Sequence, residues 1–194
     1  MKERIKMNDN TTAPNKDLEI EKNNRISQYL KIMPHDNCLT VRELDDLGFF
    51  TAPASAHRHG GYEGGLFDHC LQVTKELVNL TDKLDLNWQR TESPYIVGMY
   101  HDLCKCDQYI YDTNTGSYRY EEQSLLPGHG DKSLMILMQY LQLTQEEIAC
   151  IRWHMGAFEK DPKMWDFYSR AISQFPNVLY THTADMIASH VMNI

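Results

Sequence analysis

His101 and Asp102 stand side by side near the end of a segment, Tyr95 to Leu103, whose other residues are apolar nearly all round. A helix of that composition belongs in the interior. A carboxylate buried there without a partner costs several kcal/mol, so something must compensate Asp102. A divalent metal is the economical answer, because a carboxylate and neutral imidazoles form a negative, N/O-rich site suited to Mn, Fe, Zn, Ni, Co or Mg. Donors of that kind lie on two further segments. His69 is three residues after Leu66 and four before Val73, on the inward face of an amphipathic stretch from Leu66 to Leu80. Asp185 lies three residues after His182 in a C-terminal stretch, Val178 to Val191, that reads as helix. No local spacing such as His-Glu-x-x-His joins these donors, so the fold itself has to bring them together.

The elements that must do so are helical. The first 17 residues are polar and aperiodic and read as a disordered leader, leaving residues 18–194 as one domain. Ile20, Ile26, Leu30 and Met33 are compatible with a helix from Leu18 to Met33, and Thr40 to Asp45 reads as the N-capped turn of a second. Residues 50–65 form a loop rich in Gly, Pro and His. Tyr and Ile alternate with polar residues on either side of Asn114-Thr115-Gly116, which argues a β-hairpin over residues 108–122. Helical periodicity returns at Ser133–Leu141, then at Gln145–Met155 behind a Thr144/Glu147 capping box, at Trp165–Ile172 and at Val178–Val191. The fold class is therefore all-α, a helical bundle with a small hairpin excursion.

The chain has 194 residues and a formal net charge of −8. No stripe of Lys and Arg tracks a phosphate backbone, which excludes a long nucleic-acid duplex as partner. Apolar stretches fall short of the roughly 18 residues of a membrane span, and the start lacks the apolar region of a signal peptide. A cytoplasmic location is expected, without a membrane partner. The five cysteines make no even framework and read as reduced packing thiols.

Three motifs extend this reading. GGLFDH at 64–69, HDLCK at 101–105 and THTADMIAS at 181–189 resemble the ordered H, HD, D signature of the HD-domain superfamily, largely metal-dependent phosphohydrolases built on a helical bundle. The resemblance covers roughly residues 50–190. It implies that His69, His101, Asp102 and Asp185 hold a first metal. GHG at 128–130 and WHMG at 153–156 resemble the extra histidine positions of the binuclear branch, which implies that His129 and His154 hold a second metal with Asp102 bridging. The cofactor implied is one or two divalent ions per chain. Cys104 departs from the glycine often found in HDLGK, a packing position. Lys105 matches the family lysine and would hold a phosphate oxygen. HRHGG at 57–61 resembles the His-rich approach to the site in several HD hydrolases, making His57 and His59 candidates for phosphate contact or proton transfer. Arg152, beside His154, is a weaker candidate for phosphate binding.

The implied reaction is in-line attack of metal-activated water on phosphorus, with Asp102 and Lys105 in the catalytic set, because a bound divalent ion lowers the pKa of water toward ~7 and polarises a phosphoryl oxygen. The expected substrate is a nucleotide or similarly small phosphorylated compound. Three alternatives stand beside it: a 3′-to-5′ nuclease on short single strands, an HD-type diiron oxygenase, and a non-catalytic ligand sensor. The nucleases of this type carry an OB-fold, for which residues 1–50 are too few. The Tyr-rich hairpin would pack across its own strands, contact a second copy in a homodimer, or grip a base. His182 reads as a supporting or packing residue.

Overall fold

A computed structural model of the chain describes residues 16–57, 60–122, 126, 128–156 and 161–194. In chain order the elements are α1 (Lys16–Ile32), α2 (Val41–Asp46), α3 (Gly65–Leu84), α4 (Ser93–Tyr100), β1 (Tyr109–Asp112), β2 (Ser117–Tyr120), α5 (Gly130–Leu137), α6 (Gln145–Trp153), α7 (Trp165–Gln174) and α8 (Asn177–Met186). A 3₁₀ turn, Leu103–Asp107, follows α4, and a π-helical turn, Ile187–Val191, extends α8. Among the described residues the two strands form one antiparallel hairpin and everything else regular is helical. No helix among them is long and apolar enough to cross a membrane.

Helix α3 packs against α4 and α8 and buries Leu66, Phe67, Cys70, Val73 and Leu77 at helical spacing, with His69 among them. It opens at Gly64, whose φ of +84° suits glycine, and a Cβ there would lie 2.2 Å from the Arg25 guanidinium carbon. Arg25 occupies that space because it pairs with Asp68 in the first turn of α3, at 3.2 Å. Helix α4 carries Pro94 in its first turn, where the missing N–H is harmless, and is buried at every position but Tyr95. Gly98 lets α3 and α4 approach backbone to backbone: a Cβ on it would come within 2.6 Å of the Thr74 Cα. That approach brings the rings of His69 and His101 to 5.4 Å between centroids.

A polar clamp sets the relative height of α4, α6 and α8. The Thr144/Glu147 capping box forms as the sequence suggests. The same Glu147 carboxylate, fully buried, accepts hydrogen bonds from Arg90 Nε and Nη2 and from Ser93 Oγ, each at 2.8 Å. Glu146 accepts from the Gln89 N–H at 2.7 Å and from Asn177 Nδ2 at 2.9 Å. The N-terminal ends of the three helices are thus tied together at one pole. His101, His154 and Asp185 lie eight residues beyond Ser93, Glu146 and Asn177 respectively, a rise of about 12 Å along a helix. Equal intervals from a common clamp deliver the three side chains to one level.

Several expectations shift. The polar leader lies outside the described residues except for Lys16 and Asp17, which open α1. In α1 the buried positions are Arg25 and Tyr29, whereas Ile20 and Leu30 are 58% and 59% exposed. The helix takes its phase from polar anchors: Tyr29 Oη meets Tyr100 Oη at 2.6 Å and donates to the Leu39 carbonyl at 2.5 Å. Helix α4 ends before His101, and Asp102 adopts φ −111°, ψ 21°, which turns its carboxylate out of the helical path. In the hairpin, Tyr109 pairs with Tyr120 and Tyr111 with Tyr118, their rings 5.0 and 5.3 Å apart, so the tyrosines pack across the strands.

The close α3–α4 approach has a measurable consequence. Gly98→Ala should destabilise the protein by about 1–3 kcal/mol through overpacking, seen as a lower denaturant midpoint at unchanged slope. A variant as stable as the parent would show that the helices have room between them.

Candidate metal centre

Three histidines face one another at the level set by the clamp, and their hydrogen bonds fix how they do so. His101 Nδ1 lies 2.9 Å from the Gly98 carbonyl, His154 Nδ1 2.7 Å from the Ile151 carbonyl, and His69 Nδ1 3.0 Å from the backbone oxygen of Ile194. A carbonyl oxygen can only accept, so each Nδ1 carries the hydrogen, and a ring with that hydrogen alone presents its lone pair at Nε2. For His101 and His154 the partner is the carbonyl three residues back, which is reachable because both sit just past a helix end. The three Nε2 atoms are buried and without a hydrogen-bond partner.

What those atoms face is anionic. His69 Nε2 lies 3.3 Å from Asp185 Oδ1 and 3.6 Å from Asp102 Oδ2, and His101 Nε2 lies 3.5 Å from Asp102 Oδ2. His154 Nε2 lies 3.5 Å from the other oxygen, Asp102 Oδ1. A lone pair aimed at a carboxylate oxygen is repulsive unless positive charge stands between them. Ligand bonds of 2.0–2.2 Å at a tetrahedral angle would set neighbouring N and O donors roughly 3.3–3.6 Å apart. The observed separations fit a divalent ion, and the donor set of imidazole and carboxylate suits Mn, Fe, Co, Ni or Zn. The donors of His69, His101 and Asp102 lie within 4.8 Å of one another, as do those of His101, His154 and Asp185.

Asp102 is the hinge of the arrangement, and its compensation differs from the sequence expectation. Lys105 reaches back one turn and places Nζ 2.7 Å from Asp102 Oδ2, with both side chains largely buried. Burial opposes the Asp102 charge, but Lys105 and then His101 outweigh it and hold the carboxyl well below the usual carboxylate range. Burial likewise opposes the charge of Lys105, and Asp102 overrides it and raises the ammonium pKa. Burial opposes the charge of Asp185 too, and the adjacent His69 holds its carboxyl below the usual carboxylate range. The buried carboxylate therefore has a cation already. The sign of a metal is not Asp102 itself but the three imidazole nitrogens left without partners.

His129 caps the start of α5 and turns Nδ1 toward Asp102 Oδ1 at 3.8 Å and Cys104 Sγ at 3.5 Å. Its interaction with the Asp102 carboxylate, ahead of that with Cys104, raises the imidazole from 6.5 to about 10. His182 donates Nδ1–H to the His154 carbonyl at 2.7 Å and supports the backbone of that ligand candidate. Arg152 pairs with Asp131 at 2.5 Å and lies over the Trp153 ring, which directs its guanidinium to the start of α5. His57 is exposed on the loop before α3, and His59 lies outside the described residues. His69, His101, Asp102, His129, His154 and Asp185 come from separate elements to one region, which no spacing in the sequence dictates; Cys104 joins them although it reads from sequence as a packing thiol. The signal that would have found it is its place two residues after Asp102, inside the turn that returns toward the site.

No protein-family model matches this chain, and comparison with curated proteins and with solved structures gives no match either.

The raised His129 has a defined pH signature in chelator-treated protein. A group whose folded pKa lies above its unfolded value stabilises fully below the unfolded value and loses that contribution as pH rises through the folded one. The gap in thermal midpoint between wild type and His129→Gln should thus be widest below 6.5 and close by about 10. A gap that does not change across that range would contradict the His129–Asp102 pairing.

Proposed function

We propose that this chain is a metal-dependent phosphohydrolase of the HD-domain type, acting on a nucleotide or similarly small phosphorylated compound. The observation that carries the reading is the convergence of three buried, carbonyl-anchored imidazoles and two carboxylates with their lone pairs on one centre. His69, His101, Asp102 and Asp185 would hold one divalent ion, and His129 and His154 with Asp102 a second. When bound, such ions activate water as a nucleophile near neutral pH and polarise a phosphoryl oxygen.

The chain's own residues have the remaining tasks. Asp102 offers one oxygen to each half of the site, so its orientation governs both. Lys105 fixes that orientation through its ion pair and brings a permanent positive charge to a site that must attract an anion against a net charge of −8. A cleft of about 170 Å³, lined by Gln108, Tyr120, Glu121, Lys132 and His129 among others, opens beside the second half of the site. It is smaller than the ~300–1,000 Å³ common for ligand pockets, which favours a compact substrate. His57, an exposed side chain on the loop before α3, would contact an entering phosphate or exchange protons with solvent. Arg152 is already engaged by Asp131 and would act on a phosphate only by leaving that pair.

The test is phosphate release from a panel of nucleotides by protein supplied in turn with Mn, Mg, Co, Ni, Zn or Fe. Release should depend on added metal and fall by more than about 100-fold in Asp102→Ala, since even a residue that only supports a ligand is worth 10–100-fold. Release without metal, no release with any of the six, or an unchanged rate in Asp102→Ala would each overturn the reading. Lys105→Met should lower the rate at saturating substrate as well as weaken binding, because it both orients Asp102 and supplies charge; an unchanged rate under saturation would remove the orienting role.

A further inference from the structure

The two oxygens of Asp102 face different surroundings. Oδ2 meets His69, His101 and Lys105. Oδ1 meets His154 Nε2 at 3.5 Å, His129 Nδ1 at 3.8 Å and Cys104 Sγ at 3.8 Å. Cys104 is fully buried, and its sulfur is also 3.5 Å from His129 Nδ1. On this side stands His154 Nε2, wholly buried and without a partner. The donors of Asp102, Cys104 and His129 lie within 4.8 Å of one another.

We propose that Cys104 is a thiolate ligand of the metal held on the Oδ1 side of Asp102, and that it makes this position prefer a thiophilic ion such as Zn to Mg or Mn. The proposal rests on the reading above that His129 and His154 hold a second metal, and it adds the fourth donor and the choice of ion. Bond lengths of 2.0–2.2 Å to N and O and ~2.3 Å to S place tetrahedral donors roughly 3.3–3.6 Å apart. Among Asp102 Oδ1, Cys104 Sγ and His129 Nδ1, and from Oδ1 to His154 Nε2, the separations are 3.5–3.8 Å, which need only a few tenths of an ångström of contraction; His154 Nε2 also lies within 4.8 Å of donors of His101 and Asp185.

The surroundings hold Cys104 in place for that role. Its backbone N–H donates to Ser133 Oγ at 3.0 Å, and Ser133 is fully buried on α5, the helix that His129 caps. One hydrogen bond thus fixes the turn carrying Asp102 and Cys104 against the element carrying His129. The donor set is then one carboxylate oxygen, one sulfur and two imidazole nitrogens. Ion binding forms metal–sulfur and metal–nitrogen bonds and releases to water the thiol proton and the proton on His129 Nδ1, with no change of oxidation state. A thiolate and a carboxylate neutralise a dication, and the sulfur tilts selectivity away from hard, oxygen-seeking ions.

Cobalt(II) reports on the sulfur without any need for activity. Full-length protein, reduced and stripped with chelator, should on addition of Co(II) show both visible ligand-field bands and an intense near-ultraviolet sulfur-to-cobalt charge-transfer band. Cys104→Ser, which keeps the volume, and Cys104→Gly should keep ligand-field bands and lose the charge-transfer band, while Cys106→Ser keeps both. In direct competition the preference for Zn over Mn should fall by at least about 10-fold in Cys104→Ser. Ligand-field bands without charge transfer in wild type, or a charge-transfer band that survives in Cys104→Ser, would overturn the ligation by Cys104 and leave the metal centre standing. No cobalt spectrum at all would overturn both.

Discussion

An imidazole that has given its Nδ1–H to a backbone carbonyl must put its remaining lone pair somewhere, and three such rings here put theirs into the same buried space. That space is bounded by the oxygens of Asp102 and Asp185. Lone pairs and carboxylate oxygens repel, and a buried polar atom left without a partner costs about 1–3 kcal/mol. The arrangement is sustained only because surrounding structure enforces it, and it becomes favourable when a cation is shared by the donors. Binding to such a prebuilt site also stabilises the fold by mass action.

The enforcement comes from both ends of the helices. At one pole, Glu146 and Glu147 gather Gln89, Arg90, Ser93 and Asn177, so that α4, α6 and α8 start together. At the other, His101, His154 and Asp185 arrive at one level. Gly98 removes the side chain that would hold α3 away, and His69 enters from that helix. Asp102 and Lys105 belong to the turn after α4, where the chain leaves helical geometry and the two charges can close on each other. The site is thus assembled from helix ends, where backbone carbonyls are free to hold imidazole Nδ1–H groups.

Much of this was legible in the sequence. Periodicity located α3, α6 and α8, the capping box marked the start of α6, and alternating tyrosines marked the hairpin. His69 on an apolar face and His101-Asp102 at the end of an apolar helix were visible as buried polar groups. Three things were not visible. The phase of α1 follows Arg25 and Tyr29, whose partners Asp68 and Tyr100 are distant in sequence, so its buried face could not be read from its aliphatic residues. Lys105 stands at the i, i+3 spacing from Asp102 that allows an ion pair, but only the 3₁₀ turn after α4 shows that the two close on each other in the interior. Cys104 reads as packing because its place two residues after Asp102 gains meaning only once the chain is known to turn back toward the site there. The equal eight-residue intervals from Ser93, Glu146 and Asn177 were present in the sequence, but only the clamp gives them meaning.

The most direct measurement is elemental analysis of protein purified without chelator, repeated after incubation with each of Mn, Fe, Co, Ni, Zn and Mg and removal of excess ion. Convergent lone pairs of this kind should retain about one to two divalent ions per chain through extensive dialysis and release them only to a strong chelator. Protein that retains none of the six would show that protons alone reconcile the imidazoles with the carboxylates, and would contradict a metal centre at this site.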